Sequence, residues 1–389
     1  MEFLKLIEDI KAEEATIQRI FTKEDGVNIK NAIASRKSPQ YMSRLTEAAI
    51  LFSDVYNGKK DPYFLKEAMT TSDFPLLFAD IIDRQILAGY QEAPITYPVY
   101  TRISTVRDFR SVSRKYIDGG DTLLELVGEQ EEYKYGNLSE GEYKYAVKKY
   151  GKKFEFSWEL MINDDFNSFA DLPARLGRSA RRSEEYFVTS LYIAATGPNG
   201  TLYSAGNKNR VTGNPILSVT ALQTAMTLLS KQRDASGLPI YIPMFILVVP
   251  PALEVVANNI VNALQIFMSD SGGTTTQQLW AKNWLAGKLK VVVNPYIPMI
   301  ATSNADTSWF LFCDPSFSRG AIEIGFLRGY AQPQVFMKAS DAILLGTGGM
   351  VDPMQGSFEN DSIEYKIRHV FGGTLLDYRL TIASDGKGS

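Results

Sequence analysis

The stretch from Asn163 through Ala195 constrains the fold more than any other, because it reads as one long helix with two unlike faces. Asp171 is a candidate N-cap, and Pro173 falls in the first turn, where its missing N–H has no helical partner to lose. Leu172, Leu176, Ala180, Phe187, Leu191 and Ala194 recur at helical spacings and form an apolar stripe. On the other face Arg175, Arg178, Arg181 and Arg182 precede Glu184 and Glu185, against the favoured dipole order. That face is either solvated with local ion pairs or takes partners outside the helix. Gly197-Pro198-Asn199-Gly200 ends it. At about 1.5 Å per residue the helix spans on the order of 35 Å, enough to act as the spine of a domain.

A chain of 389 residues with 45% hydrophobic and 22% charged residues has material for two or three globular domains. Its formal net charge of −3 argues against a dedicated nucleic-acid reader and leaves room only for local basic patches. One cysteine, Cys313, excludes an internal disulfide and one histidine, His369, removes the usual metal clusters, so no cofactor or metal is expected and a reducing compartment fits. No apolar run approaches a membrane span, and Met1-Glu2-Phe3-Leu4-Lys5 does not open a secretory signal.

Residues 1–35 read as a charged, weakly amphipathic helical arm with Phe3, Leu4, Leu6, Ile7, Ile10 and Ile17 as its apolar members. Residues 41–57 and 74–90 read as helices, the second capped at Ser72-Asp73 and ending at Gly89. From Ile95 to Leu160 the chain turns to β-forming residues. Arg102 to Tyr116 is expected as one strand, and Phe154, Phe156 and Trp158, alternating with charged and polar residues, as the returning one.

Charge along this segment is sorted. Arg102, Arg107, Arg110, Arg114 and Lys115 lie on the first flank, and Asp118, Asp121, Glu125, Glu129, Glu131 and Glu132 at the tip. Lys144, Lys148, Lys149, Lys152 and Lys153 lie on the return. An isolated two-stranded arm is marginal in water, so it needs a neighbour; the other reading is a mobile surface loop. The apolar run Leu123 to Val127 speaks against a free loop.

Beyond the punctuation of 198–215 a second module begins. Met244 to Val249 is a continuous apolar run, as in a strand covered on both faces; Pro250-Pro251 opens a helix carrying Leu253, Val256, Ile260 and Leu264. Lys290 to Val293, Trp309 to Phe312 and Ala321 to Leu327 supply further strands. In the tail, Ile363 to Phe371 alternates, Gly372-Gly373 is expected to turn the chain, and Leu375 to Ile382 to form a second strand. Both are expected to return to the sheet beside the spine helix.

Catalytic and nucleotide motifs are missing from the sequence. Gly346-Thr347-Gly348-Gly349 is followed by Met350 with no lysine, and no HExxH, CxxC or GxSxG occurs. Cys313 and His369 sit in strand-like runs, where such residues are more often core than nucleophile and base. Asp164 and Asp165 fit helix capping better than metal binding. The expectation is a structural or binding protein, not an enzyme.

Several pieces, in order and spacing, resemble the major capsid proteins of tailed bacteriophages, above all Mu-like major head subunits with the HK97-like fold. They are Lys148-Lys149-Tyr150-Gly151-Lys152-Lys153-Phe154, Met161-Ile162-Asn163-Asp164-Asp165-Phe166, Arg175-Leu176-Gly177, Leu247-Val248-Val249-Pro250-Pro251-Ala252-Leu253 and Arg368-His369-Val370-Phe371-Gly372-Gly373. The resemblance covers about residues 70–389.

It implies an α+β, HK97-like architecture. Residues 1–70 would be the N-terminal arm and helices, 71–94 a helix leading into the peripheral domain, and 95–160 the E-loop hairpin. Residues 161–214 would carry the spine helix of the peripheral domain, 215–335 the axial domain, and 336–389 the strands returning to the peripheral domain. The implied function is a head protein that self-assembles as pentamers and hexamers of an icosahedral shell around double-stranded DNA, assembled in the host cytoplasm and resident in the virion. Portal, scaffolding or decoration proteins would be further partners, and no membrane is involved. An encapsulin-like compartment shell and an unrecognised hydrolase are the alternatives. For the contact between subunits, Glu129, Glu131 and Glu132 of the hairpin tip are expected to meet Arg178, Arg181 and Arg182 on the exposed spine face of a neighbour.

Overall fold

The computed structural model describes residues 39–56, 59–60, 86–118, 139–157, 166–234, 237–270, 277–317, 319–338, 343–344, 349–350 and 357–388. In chain order the helices are α1 (Pro39–Tyr56), α2 (Tyr97–Tyr100), α3 (Phe166–Tyr192), α4 (Val219–Ser230), α5 (Glu254–Asn262) and α6 (Ile297–Ile300). The strands are β1 (Arg102–Val106), β2 (Val112–Asp118), β3 (Ser139–Tyr145), β4 (Lys148–Ser157), β5 (Ile193–Ala194), β6 (Gly197–Pro198), β7 (Phe245–Val249), β8 (Gln265–Asp270) and β9 (Gln277–Lys282). They continue as β10 (Leu289–Val293), β11 (Trp309–Cys313), β12 (Ile322–Leu327), β13 (Gln334–Met337), β14 (Ile343–Leu344), β15 (Gly349–Met350), β16 (Ser362–Leu375) and β17 (Thr381–Ser384). The class is α+β, as expected.

The chain divides into two compact units, Met1–Pro94 with Lys149–Arg181 and Gln332–His369, and Ile95–Lys148 with Arg182–Ala331 and Val370–Ser389. In the first, β16 pairs antiparallel with β13 (Ile367 opposite Val335) and also pairs with β4. Alternation along these strands turns Ile367, Val335 and Phe154 inward onto Tyr90, Leu176 and Ala180. The helical stretch 86–92 crosses α3 at two glycines. A Cβ on Gly177 would lie 2.0 Å from the Ile86 carbonyl oxygen, and one on Gly89 would lie 2.3 Å from that of Ala174. Gly89 therefore sits inside a helix and permits close backbone approach; it does not end the helix.

The second unit holds a sheet in the order β10-β7-β11-β17, with β7 parallel to β10 and antiparallel to β11. Every residue of β7 and β11 is buried, which accounts for their uninterrupted apolar runs. Beside this sheet in sequence, β1 runs parallel to β12 (Arg102 opposite Glu323), and β12 runs antiparallel to the end of β16 (Phe326 opposite Phe371). β2 and β3 form a hairpin ladder from Val112 opposite Tyr145 to Asp118 opposite Ser139. β8 and β9 form a second ribbon. The Asn283 amide caps the end of α5 below that ribbon, donating to the carbonyls of Ile260 and Val261 at 2.8 and 2.9 Å.

Several expectations need correction. The spine helix α3 begins at Phe166, so Asp171 and Pro173 lie within it, and Pro173 costs one backbone hydrogen bond without ending it. It stops at Tyr192, where Asn199 takes the terminal carbonyls: its amide donates to the Leu191 oxygen at 2.9 Å and its backbone N–H to that of Tyr192 at 3.0 Å. Arg102 to Tyr116 is two strands, not one, bent at 107–111. The strand returning from the hairpin is β3; β4, with Phe154, belongs to the first unit.

Gly372-Gly373 makes no turn, because β16 runs straight through. Both glycines are needed for crowding: a Cβ would meet the Ala146 oxygen at 2.5 Å in one case and the Glu323 oxygen at 2.5 Å in the other. β17 pairs with β11, so the last strand belongs to the second module, whereas β12 does not pair with that module's β7 or β11. Residues 1–35, 74–85, the hairpin tip with Leu123 to Val127, and Trp158 lie outside the described residues.

Candidate functional site

Buried polar contacts fasten the elements of each unit together, and they can be built from named side chains. In the second unit the fastening is made of carboxylates. Glu184 and Glu185, adjacent on α3, are buried. Their placement corrects the expectation that they lie on the polar face, and Val188 and Tyr192 replace Phe187 and Leu191 as the fully buried apolar members. Burial of a carboxylate is tolerated only when its oxygens are satisfied. Glu185 accepts from the backbone N–H groups of Thr96 at 2.8 Å and Tyr97 at 3.1 Å, from the Thr96 hydroxyl, and from the Asn294 amide at 3.3 Å. Glu184 accepts from the Tyr97 hydroxyl at 2.7 Å. The first turn of α2, which has no side-chain cap of its own, is thereby held by a carboxylate from α3.

Around this pair lie the rings of Tyr100, Tyr192, Phe310 and Phe312, with Tyr100 stacked on Phe312 at 5.0 Å. The Asn294 amide nitrogen lies 2.9 Å from the Thr189 and Tyr192 hydroxyls. Burial, the largest cause, raises the Glu185 carboxyl above its ordinary range, against the hydrogen bonds from Thr96 and Tyr97. Burial likewise drives the Tyr100 and Tyr192 phenols up, so neither ionises near neutral pH.

A second carboxylate sits at the hairpin root. Glu323 on β12 is 1% exposed and accepts from the hydroxyls of Ser104 and Tyr145, each at 2.6 Å. The Arg114 Nε donates to the same oxygen at 3.2 Å, and Arg102 Nε stands 4.0 Å from the other. Burial first, then the hydrogen bond to Glu323, raises the Tyr145 phenol. The apolar side of the root is Val106, Tyr145, Val147, Leu327 and Val370, with Val112 against them.

In the first unit, the sheet face opposite the core carries an exposed charged row. Glu364 is held below the usual carboxylate range by the hydrogen bond from Lys338 at 3.0 Å, with Lys153 at 3.5 Å adding to it. Phe336 lies under two cations, Lys366 at 4.9 Å and Arg368 at 4.6 Å from the ring centre.

The arginines expected to receive the hairpin tip have different environments. Arg178 pairs with Glu92 at 3.2 Å, and Arg181 is half-buried against Tyr90, so neither stands on an open face; Arg182 alone of the three is exposed. The helix twists these neighbouring positions through different surroundings, which a charge count along the sequence does not register. Glu129, Glu131 and Glu132 lie outside the described residues, as do Asp164 and Asp165. Cys313 is buried in β11 and His369 in β16, the latter edge-on to Tyr90. Among the described residues no group of three or more His, Cys, Asp or Glu could hold a metal ion, and no helix is long and apolar enough to cross a membrane.

Sequence reasoning missed Glu185, Glu323 and Asn294. The only signal was the pairing of two acids with an otherwise apolar helical period at Val188 and Tyr192.

A search of curated proteins gives no match. Among solved structures the chain is similar to the virus-like particle from Pyrococcus furiosus, at 11% identity and TM-score 0.42, covering 79% of this chain and 99% of that one. It is also similar to the capsid of a native GTA particle, at 13% identity and TM-score 0.45 over 73% and 87% of the two chains. Mycobacterium phage Patience gives 14% identity and TM-score 0.42 over 81% and 90%. A family model described as phage capsid protein matches residues 141–383, from β3 through β17 and well over half of the sequence. On that match the chain belongs to the phage capsid protein family, and it is a structural protein of a capsid shell.

Proposed function

We propose that the chain is the major head subunit of a tailed phage, assembling through pentamers and hexamers into an icosahedral shell around double-stranded DNA. In this reading the arrangement is HK97-like. Residues 161–214 and 336–389 apart from β17 would serve the peripheral domain, 215–335 together with β17 the axial domain and 95–160 the E-loop, while 1–70 would be the N-terminal arm and helices. The observation that carries it is the hairpin: among the described residues β2 and β3 pair only with each other and keep exposed positions along both strands. Such a ribbon is stabilised by what it docks on, which in a shell is another copy.

The tip acids Glu129, Glu131 and Glu132 would meet cations on a neighbour. Arg178, Arg181 and Arg182 remain the candidates, with Arg182 the exposed one, and Lys153, Lys338 and Lys366 on the sheet of the first unit are further ones. Each exposed pair contributes roughly 0–1 kcal/mol, so the contact acts by repetition and weakens with salt. DNA contact would be non-specific, with Lys5, Lys11, Arg19 and Lys23 of the arm offset by Glu2, Glu8, Asp9, Glu13 and Glu14. Portal, scaffolding and decoration proteins, and assembly in the host cytoplasm, belong to the same reading.

Negative-stain microscopy of the purified protein tests it. Closed shells are expected, filled with DNA when taken from infected cells. Shells filled with protein cargo would favour a compartment shell instead, and only small monodisperse particles under all salt conditions would overturn the reading. Reversing Glu129, Glu131 and Glu132 to Lys should stop assembly of a still-folded subunit, and normal shells from that variant would refute the tip contact.

A further inference from the structure

We propose that Glu323 is a latch that fixes the direction of the β2–β3 hairpin from its root. Polar groups from four strands converge there. β12 supplies the carboxylate, β1 supplies Ser104 with Arg102 behind it, β2 supplies Arg114, and β3 supplies Tyr145. The two strands of the hairpin thus each place one donor on the same buried oxygen, Arg114 Nε at 3.2 Å and the Tyr145 hydroxyl at 2.6 Å. Arg114 also reaches the Thr105 carbonyl of β1 at 3.4 Å, and the Ser104 and Tyr145 hydroxyls lie 2.8 Å apart.

Hydrogen bonds are directional, and two of them from separate strands to one fixed acceptor define an angle as well as a position. The hairpin cannot swing about 107–111 without taking a donor from a carboxylate that is buried. The seat for this contact is cleared by a glycine, since a Cβ on Gly325 would come within 2.5 Å of the Tyr145 hydroxyl. The apolar cluster at the same root has no such directionality: burial of Val106, Val112, Val147, Leu327 and Val370 favours closeness and is indifferent to modest rotation. Apolar packing of the same volume is often as stabilising as a buried carboxylate or more so, and what the carboxylate adds here is orientation.

The use of the latch in assembly rests on the shell reading, because a hairpin held in one direction does not have to be ordered when it docks. The latch itself stands or falls on the free subunit. Tyr145→Phe keeps the ring in the apolar cluster and removes only the hydroxyl; Glu323→Gln keeps shape and removes the charge. Hydrogen exchange on the dilute full-length chain should then show amides in 112–118 and 139–145 exchanging about ten- to a hundredfold faster, while β7 and β11 keep their protection. Unchanged exchange in the hairpin would mean that apolar packing alone sets its direction. Equal loss in β7 and β11 would make Glu323 a general core residue. Either result overturns the proposal. In the shell reading Tyr145→Phe should also slow shell formation; an unchanged rate removes that use, and a parent chain that forms no shells at all is a failure of the shell reading, not of the latch.

Discussion

The guanidinium carbon of Arg181 lies 4.4 Å from the centre of the Tyr90 ring, so this arginine on α3 is spent inside its own unit. Its neighbour Arg182 is exposed. Two adjacent cations with the same charge therefore have different roles, one in packing and one on the surface.

Arg181→Ala should destabilise the protein by about 1–2 kcal/mol, through loss of the cation–ring contact and of the stem's packing. Arg182→Ala should stay within about 0.5 kcal/mol of the parent. Denaturant unfolding of the two variants checks the contrast, and equal effects would count against it.

Gly177→Ala or Gly89→Ala should destabilise by about 1–3 kcal/mol, although alanine is intrinsically the better helix former by about 1 kcal/mol. The added carbon would fall on backbone atoms of the crossing helix, 2.0 Å from the Ile86 oxygen in one case and 2.3 Å from the Ala174 oxygen in the other. A raised melting temperature in either variant would contradict the close crossing.

Glu185 should leave a signature in the pH dependence of stability. Burial first raises its carboxyl above the ordinary value of 4.5, Glu184 adds to the shift, and the Thr96 and Tyr97 hydrogen bonds oppose it. The folded state then holds this proton more tightly than the unfolded chain does. The group's contribution is full below the ordinary value and is lost as pH rises through the folded value. Glutamine does not titrate, so the parent should lose stability relative to Glu185→Gln as pH rises above about 4.5, by at most about 1.4 kcal/mol per unit, until the folded carboxyl has ionised. Urea unfolding across that range reads the difference, and the opposite slope would mean that the hydrogen bonds outweigh burial.

Ile382→Ala should cost about 2–5 kcal/mol, because Ile382 is fully buried opposite Leu311 in the β11–β17 ladder. Thermal unfolding measures it. A loss below about 1 kcal/mol would place the last strand outside the core sheet.

What the sequence determined by itself is what depends on near neighbours along the chain. The apolar run Met244 to Val249 reads as a strand covered on both faces, Trp309 to Phe312 as a further strand, and the period through Leu176 and Ala180 as a long helix packed on one side, and the structure has all three. The α+β class and the resemblance to phage capsids follow from such local patterns in order. Only the tertiary structure decided which strand closes the hairpin, that Gly372 and Gly373 pass straight through β16, and that β17 joins β11. It also decided that Glu184 and Glu185 are buried. The donors that make burial of Glu185 tolerable, Thr96 and Asn294, are 89 and 109 residues away, and Arg114 lies 209 residues from Glu323. A carboxylate on a helix reads as a surface residue until such partners are in place, because its solvation cost is set by what surrounds it in space and not by its neighbours in sequence.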